Sequence, residues 1–156
     1  MFYGEHQHSI DEKGRLIIPS KFREVFKENY VERFFLTRGL DTCLFVFAED
    51  EWRRQESKFR ALSFTSAEAR HFNRIYFSGA CEVTCDKQGR ILVPDYLKEF
   101  AGIKRDVVIV GVSSRMEIWA KESWEAFYSS AKGSFEKIAE NIFGAEGADG
   151  KTGGAA

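Results

Sequence analysis

Two copies of one short motif carry the residues best suited to binding chemistry. Residues 11–19 read Asp-Glu-Lys-Gly-Arg-Leu-Ile-Ile-Pro, and residues 86–94 read Asp-Lys-Gln-Gly-Arg-Ile-Leu-Val-Pro. In each copy an arginine, Arg15 or Arg90, follows a glycine turn and begins a predicted strand. The planar guanidinium group can pair at two points with the acceptor edge of guanine or with a phosphate. Because a two-stranded β element fits the major groove, the motif predicts a DNA-binding hairpin tip.

The first and fourth residues of each motif predict the tight turn that shapes this tip. Asp11 and Asp86 can accept hydrogen bonds from the backbone that follows them, and Gly14 and Gly89 supply the positive φ of a hairpin exit. The spacing leaves two interpretations of each arginine open. It either pairs across the hairpin with the aspartate four residues earlier, or it points toward DNA. The two are compatible, because the aspartate could orient the guanidinium group.

Each turn also contains one lysine, Lys13 in the first and Lys87 in the second, and we expect both to assist at the DNA backbone. One copy still supplies only about two basic residues, fewer than the several phosphate contacts that useful affinity requires. Binding therefore predicts self-association, which presents many tips together. The net charge is −1, from 23 basic and 24 acidic residues. If the chain binds nucleic acid, it must therefore use locally clustered basic residues rather than its overall charge.

The motif is part of a longer internal repeat, which we interpret as a tandem duplication. Placing Asp11 on Asp86 aligns the two motifs, and a slightly smaller offset aligns the later positions, so the second copy has a shorter connection. The aligned flanks are Phe2-x-Gly4 with Phe77-x-Gly79, Gly39 with Gly111, Phe47-Ala48 with Trp119-Ala120, and Trp52 with Trp124. The predicted boundaries are a first repeat over 1–62, a helical connection over 63–75, a second repeat over 76–143 and a disordered Gly/Ala-rich tail over 144–156.

Both repeats predict the same order of elements. A strand (4–10 or 78–85) leads into the motif turn and return strand, and the proline begins a short helix. A second hairpin and a closing helix follow, the helices beginning at Glu49 and Lys121. Between the copies, the residues Thr65-Ser-Ala-Glu68 resemble a capping box and predict a helix through about Arg74. Residues 52–74 carry six basic against two acidic side chains, which leaves a solvated helix face or a nucleic-acid contact open; the former is favoured.

No arrangement of residues predicts catalysis. None of the three histidines lies in a known catalytic or phosphate-binding motif. His6 and His8 alternate along a strand and so share a face, which indicates a polar strand face rather than a metal site. The three cysteines, an odd number, are expected to be reduced thiols of a cytosolic protein. We therefore expect no enzyme, no cofactor and no metal.

Nothing in the sequence predicts a membrane association or export. No apolar run approaches the roughly 18 residues that a transmembrane helix needs. The residues Met-Phe-Tyr-Gly-Glu-His at the start lack the basic and apolar regions of a signal peptide. We expect a cytoplasmic location.

The duplicated Asp-x-x-Gly-Arg-x-x-x-Pro, with Phe-x-Gly upstream and Gly…Trp-Ala…Trp downstream, resembles the MraZ family. These are bacterial transcriptional regulators with two SpoVT/AbrB-like swapped-hairpin units in one chain. The resemblance covers residues 1–143 and leaves out the Gly/Ala-rich tail. The family's DNA-binding signature, Asp-x-x-x-Arg, is met in full by Asp11 with Arg15 and by Asp86 with Arg90.

The resemblance implies an α+β, mainly β fold in which the two units interleave hairpins into a pseudo-twofold β-barrel core flanked by helices. It implies a ring-shaped homo-oligomer with Arg15 and Arg90 on one exposed surface. It also implies a nucleoid-associated regulator that binds short direct repeats in double-stranded DNA and represses the division and cell-wall gene cluster. Two alternatives are a ring-shaped scaffold that binds a protein partner and an antitoxin-like DNA-binding protein.

Overall fold

A computed structural model of the chain describes the backbone of residues 1–152 and the side chains of residues 1–144. The chain forms two compact units, Met1–Ser123 and Trp124–Ala156. The strands and helices of the first unit, in chain order, are β1 (Phe2–Ser9), β2 (Arg15–Ile17), α1 (Ser20–Glu28), β3 (Phe34–Arg38), β4 (Leu44–Ala48), α2 (Glu49–Arg60), α3 (Ala67–Ser78), β5 (Cys81–Val83), β6 (Arg90–Leu92), α4 (Asp95–Phe100), β7 (Asp106–Ser113) and β8 (Arg115–Ala120); α5 (Lys121–Ala131) begins at its end.

Six of these strands form one antiparallel sheet in the order β1-β7-β8-β4-β3-β5. The sheet is open, because no pairing within residues 1–152 joins its edge strands β1 and β5. The fold is α+β and mainly sheet, as the family resemblance implies. The prediction of a closed β-barrel is wrong. The reason lies in β5, whose three residues pair only with β3 and leave too little strand to close the sheet.

The two repeats contribute to this sheet in an interleaved order. The first strand of the first repeat, β1, pairs over its whole length with β7 of the second repeat, from Phe2 opposite Ser113 to Ser9 opposite Asp106. The first strand of the second repeat, β5, pairs with β3 of the first repeat. The sheet is therefore common to both repeats.

The connection between the repeats differs from its prediction at both ends. The cap of α3 is Ser66, one residue after the predicted Thr65, and its side chain accepts a hydrogen bond from the Ala69 N–H at 3.3 Å. The helix continues to Ser78, so the strand predicted over 78–85 is reduced to β5. Tyr76 explains the extension, because it packs between the rings of Trp52 and other aromatic residues and this packing outweighs local strand propensity.

Two clusters of side chains form the core. The main cluster contains matched positions of both motifs and their helices: Leu16, Ile18 and Phe22 from the first repeat with Ile91, Val93 and Leu97 from the second. The second cluster is aromatic, with Phe47, Trp52 and Tyr76 buried and Phe35, Phe45, Phe59, Phe72 and Phe77 packed against them. Much of the aromatic content of the sequence is thus core packing.

The second unit contains the end of α5, a 3-10 turn at Lys132–Ser134 and α6 (Phe135–Thr152). Its large exposed apolar side chains are Phe127, Tyr128, Phe135, Ile138, Ile142 and Phe143. The helix α6 overlaps most of the tail, 144–156, for which the sequence predicts disorder. Residues 153–156 lie outside the described residues, and disorder there stays a prediction. No helix in the part of the chain that the structure describes is long and apolar enough to cross a membrane.

Candidate nucleic-acid interface

The return strands of the two motifs pair with each other and form one antiparallel ribbon. Leu16 lies opposite Ile91 at its centre, with Arg15 opposite Leu92 and Ile17 opposite Arg90. Two backbone hydrogen bonds lengthen the ribbon, from Val93 N–H to Gly14 O at 2.8 Å and from Ile18 N–H to Gly89 O at 3.0 Å. The two motifs, which lie far apart in the chain, are therefore one structural element.

Alternation along the strands gives this ribbon an inner and an outer face. Leu16 and Ile91 point inward and are buried. Their neighbours Arg15, Ile17, Arg90 and Leu92 consequently share the outer face. The two arginines occupy diagonal positions, for which the usual separation of Cα atoms is about 7–8 Å. Within one chain the alternation of the ribbon puts Arg15 and Arg90 on the same face. That both lie on one exposed surface of a ring, as the family resemblance implies, stays a prediction.

At the first tip, Asp11 makes every contact that its turn requires. Its Oδ1 atom accepts from the backbone N–H groups of Lys13 at 3.0 Å and Arg15 at 2.9 Å, and its Oδ2 atom accepts from Arg15 Nε at 2.5 Å. Backbone bonds between Asp11 and Arg15 and from Gly14 to Asp11 close the turn. The carboxylate therefore fixes both the loop and the guanidinium group.

The second tip repeats this geometry. Asp86 Oδ1 accepts from the backbone N–H groups of Gln88 and Arg90, both at 2.9 Å, and Oδ2 accepts from Arg90 Nε at 2.8 Å. The pairing of each arginine with its own aspartate is thus correct in both copies. This pairing uses only Nε, and no hydrogen bond or ion pair with another described residue involves the Nη atoms of Arg15 or Arg90. The two arginine side chains are partly exposed, Arg15 to 38% and Arg90 to 27%.

These contacts also stabilise the charge of both carboxylates. The pKa of Asp11 and of Asp86 lies below its ordinary value, mainly because the backbone N–H of the motif arginine donates a hydrogen bond to the ionised form. Partial desolvation acts in the opposite direction, and the guanidinium group adds to the lowering. Each aspartate is an anion at neutral pH and holds its arginine by charge as well as by geometry.

Glycine is required at the fourth position of both turns. Gly14 has φ of +83°, and a Cβ atom there would lie 2.5 Å from the carbonyl oxygen of Val93, so backbone conformation and space both exclude a side chain. Gly89 has φ of +76°, and its Cβ atom would lie 2.6 Å from Nη1 of Arg23. A side chain at Gly89 would therefore strain the backbone and displace the Arg23 guanidinium group.

The two predicted lysines do not occupy equivalent positions. Lys13 and Lys87 are both exposed at their tips. The alignment of the two motifs places Lys13 on Gln88, however, and Glu12 on Lys87. The first tip thus has an acidic side chain where the second tip has a basic one, so the two tips present charge differently on the same backbone.

Sequence analysis missed a further basic residue, Arg23 of α1. Its Nε donates to the carbonyl oxygen of Ile18 at 3.0 Å, and its guanidinium group lies against Gly89. A side chain of the first repeat therefore supports the tip of the second. An open cleft of about 430 Å³ adjoins it, lined by Arg23, Phe26, Lys27, Val31, Glu32, Phe34, Thr84, Cys85, Asp86, Lys87 and Gly89. The alignment of the two repeats could have drawn attention to Arg23, because the residue aligned with it, Lys98, is also basic.

The basic side chains of α2 are largely engaged within their own helix. Arg53 pairs with Glu49 at 2.7 Å, and Arg54 pairs with Glu51 at 2.8 Å. Arg60 lies 3.6 Å from Glu56. These pairs fit a solvated face of α2, and the choice between that face and a nucleic-acid contact for residues 52–74 stays a prediction.

Two of the histidines, His6 and His8, and all three cysteines are partly or fully buried. The ring of His6 packs edge-on against Phe22, with centroids 5.1 Å apart. Burial, followed by the charges of His6 and Arg23, lowers the pKa of His8. The cysteines, Cys43, Cys81 and Cys85, are free thiols whose pKa burial raises. No group of three or more potential ligands in the described part of the chain could hold a metal ion.

Comparisons with known proteins point to one family in both repeats. A family model described as "MraZ protein, putative antitoxin-like" matches residues 1–75 and again residues 76–145. A protein of Desulforamulus reducens named transcriptional regulator MraZ is 53% identical over 142 residues, which cover 91% of this chain and 97% of that protein. Proteins of the same name from Acetivibrio thermocellus and Pelotomaculum thermopropionicum are 53% and 54% identical over 142 residues, covering 91% of this chain and 96% and 95% of theirs.

Proposed function

Because the chain belongs to the MraZ family, we propose that it is a sequence-specific regulator of transcription that binds double-stranded DNA through Arg15 and Arg90. One observation carries this proposal. Both arginines lie on the outer face of a single two-stranded ribbon, each held through Nε by an aspartate. The remaining edge of each guanidinium group can pair with guanine O6 and N7 or with a phosphate.

The aspartates make this contact efficient. A free arginine side chain loses rotamer entropy when it binds, a cost of about 0.5–1.5 kcal/mol for each immobilised side chain. Asp11 and Asp86 fix Arg15 and Arg90 beforehand, so less entropy is lost at the interface. Lys13 and Lys87, exposed on the same loops, contact the DNA backbone beside them.

The ribbon has the dimensions of a major-groove reader. Two paired strands are narrow enough for a groove about 12 Å wide. The inner face, with Leu16 and Ile91, remains in the core, so the ribbon enters the groove on a rigid support. The net charge of −1 is no obstacle, because ring assembly would bring the basic tips of several subunits together on one face.

Useful affinity requires several ribbons at once, and we include a ring-shaped homo-oligomer in the proposal. The exposed apolar residues of α6, Phe135, Ile138, Ile142 and Phe143, support self-association. Subunits side by side along a duplex would each contact one copy of a short direct repeat. Repression of the division and cell-wall gene cluster, and association with the nucleoid, follow from the family resemblance and are part of the same proposal.

The test begins with selection of bound fragments from random duplex DNA, followed by gel-shift titrations. We expect the selected fragments to contain spaced direct repeats. Arg15→Ala and Arg90→Ala should each abolish tight binding while the oligomer stays intact by size-exclusion chromatography. Arg60→Ala is the matched control, since Arg60 also pairs with a carboxylate four residues away but lies on α2. Unchanged affinity in both tip variants would refute the assignment.

A second candidate is an antitoxin-like DNA-binding protein, which the description of the matching family model favours. It predicts that a small protein co-purifies with the chain. The salt dependence of affinity distinguishes a DNA-binding protein from a scaffold that binds only a protein partner. Counterion release makes affinity for DNA fall steeply as the salt concentration rises. An apolar protein contact does not weaken in this way.

A further inference from the structure

The outer face of the ribbon exposes two large aliphatic side chains beside the arginines. Ile17 is 43% exposed and Leu92 is 57% exposed, whereas Leu16 and Ile91, adjacent in sequence, are buried. The alignment of the two motifs places Ile17 on Leu92, so both copies expose an aliphatic side chain at the same position of the motif. The exposed face thus has an apolar component that the arginine contacts do not use.

The register fixes how these four side chains are arranged. Leu92 lies directly opposite Arg15, and Ile17 lies directly opposite Arg90. Residues opposite each other have Cβ atoms about 4.5–5.5 Å apart. The two rows are two residues apart along each strand, or about 6.6 Å, which is close to two base-pair steps of about 3.4 Å. Each row therefore offers one guanidinium group and one aliphatic group to neighbouring bases.

We infer that Ile17 and Leu92 contact thymine methyl groups in the major groove, each next to the base or phosphate contacted by the arginine opposite it. The inference rests on the proposed function. Isobutyl and sec-butyl side chains cannot read hydrogen-bonding groups, and the C5-methyl of thymine is the apolar group that a base pair presents in this groove. The arginines supply hydrogen bonds, and the aliphatic side chains supply the apolar contact.

Charge determines the occupant of this face. Ile17 and Leu92 lie between two guanidinium groups whose Nη atoms have no partner among the described residues. Lys13 and Lys87 are exposed on the loops at either end of the ribbon. A polyanion with apolar groups in a groove supplies acceptors for these Nη atoms, whereas an apolar protein surface would remove them from water and offer none.

The experiment uses the full chain and a duplex selected by it from random DNA. Each thymine is replaced in turn by deoxyuridine, which removes only the C5-methyl group. We expect the unaltered protein to bind about fourfold more weakly when a contacted methyl group is lost. Ile17→Ala should bind the unmodified duplex more weakly and should no longer respond to deoxyuridine at one position, and Leu92→Ala at another. Leu40→Ala, which removes a 63% exposed leucine away from the ribbon, should respond like the unaltered protein.

Three outcomes would overturn the inference. The unaltered protein could bind every deoxyuridine duplex as tightly as the thymine duplex. Ile17→Ala and Leu92→Ala could retain the full response to deoxyuridine. Either variant could dissociate the oligomer by size-exclusion chromatography, which would show that the face contacts a second copy. If Arg15→Ala and Arg90→Ala lose binding in the same assay, only the thymine contact fails; if they also bind normally, the proposed function fails.

Discussion

Gly14 lies so close to Val93 that a methyl group on the glycine would be 2.5 Å from the valine carbonyl oxygen. Val93 also takes part in the strand pairing that joins the two motifs, since its N–H donates to Gly14 O at 2.8 Å. Gly14 is consequently both the turn residue of one tip and the point where the other repeat approaches it. The motif glycine therefore serves both the turn and the packing of the two motifs against each other.

A series of glycine substitutions should separate the two requirements at this position. Gly14→Ala should destabilise the protein most, because it combines positive φ, which costs about 1–3 kcal/mol, with a backbone clash. Gly102→Ala should show the conformational cost alone, since Gly102 has φ of +64° and no atoms within 4 Å of its added Cβ. Gly133→Ala, with open space and no positive φ, is the control. Thermal unfolding measures all three, and equal losses for Gly14→Ala and Gly102→Ala would contradict the close approach.

The inner and outer faces of the ribbon should respond oppositely to truncation. Leu16→Ala and Ile91→Ala should each lower the free energy of unfolding by about 2–5 kcal/mol, because both side chains are buried in the main core. Ile17→Ala should change it by no more than about 0.5 kcal/mol, because its side chain is exposed. Chemical denaturation gives these values, and a large loss in Ile17→Ala would show that its face is covered.

Acid should weaken the tips through Asp11 and Asp86. Their folded-state pKa is lowered, so their stabilisation is complete above the unfolded-state pKa of about 3.9 and is lost as pH falls through the folded-state pKa. The double variant Asp11→Asn/Asp86→Asn should therefore be less stable than the unaltered protein at neutral pH, and the difference should shrink as pH falls below about 4. Thermal melts across this range test it. A difference that stays constant with pH would mean that the charges of these carboxylates contribute nothing.

Arg23 should affect DNA binding although it lies outside both motifs. Because it packs against the second tip, Arg23→Ala should weaken binding by displacing that tip, with little change in the steepness of the salt dependence. Lys21→Ala, an exposed lysine on the same helix, controls for loss of charge on α1. Affinities measured over a range of salt concentrations decide the matter. Equal effects of the two substitutions would assign Arg23 a general electrostatic role only.

The parts of the candidate site that can be predicted from the sequence are those held by hydrogen bonds between residues close together in the chain. Every contact of Asp11 with its own tip lies within four residues, so the residue types and their spacing suffice to predict it. The pairing of Arg15 with Leu92 joins strands from different repeats. No local pattern encodes that register. The family resemblance implies one exposed surface of a ring for the two arginines, and it does not imply their diagonal positions in one ribbon.

Local similarity also fails where packing differs between the repeats. Phe2-x-Gly4 belongs to the long strand β1, but the aligned Phe77-x-Gly79 lies at the end of the helix α3. The ring of Phe77 packs against Trp52 and Phe59, which retains it in the aromatic cluster. The same residue types thus adopt different structures because their long-range partners differ.

The pairing of β1 with β7 has a consequence for synthesis of the chain. Phe2 emerges from the ribosome long before its partner Ser113, because most of both repeats lies between them. At about 5–20 residues per second, the first strand waits on the order of 5–20 seconds before it can pair. A nascent chain stopped between the repeats leaves β1 unpaired. We expect such truncated chains to bind chaperones or to associate in pairs, in which each chain takes the place of one of the two repeats.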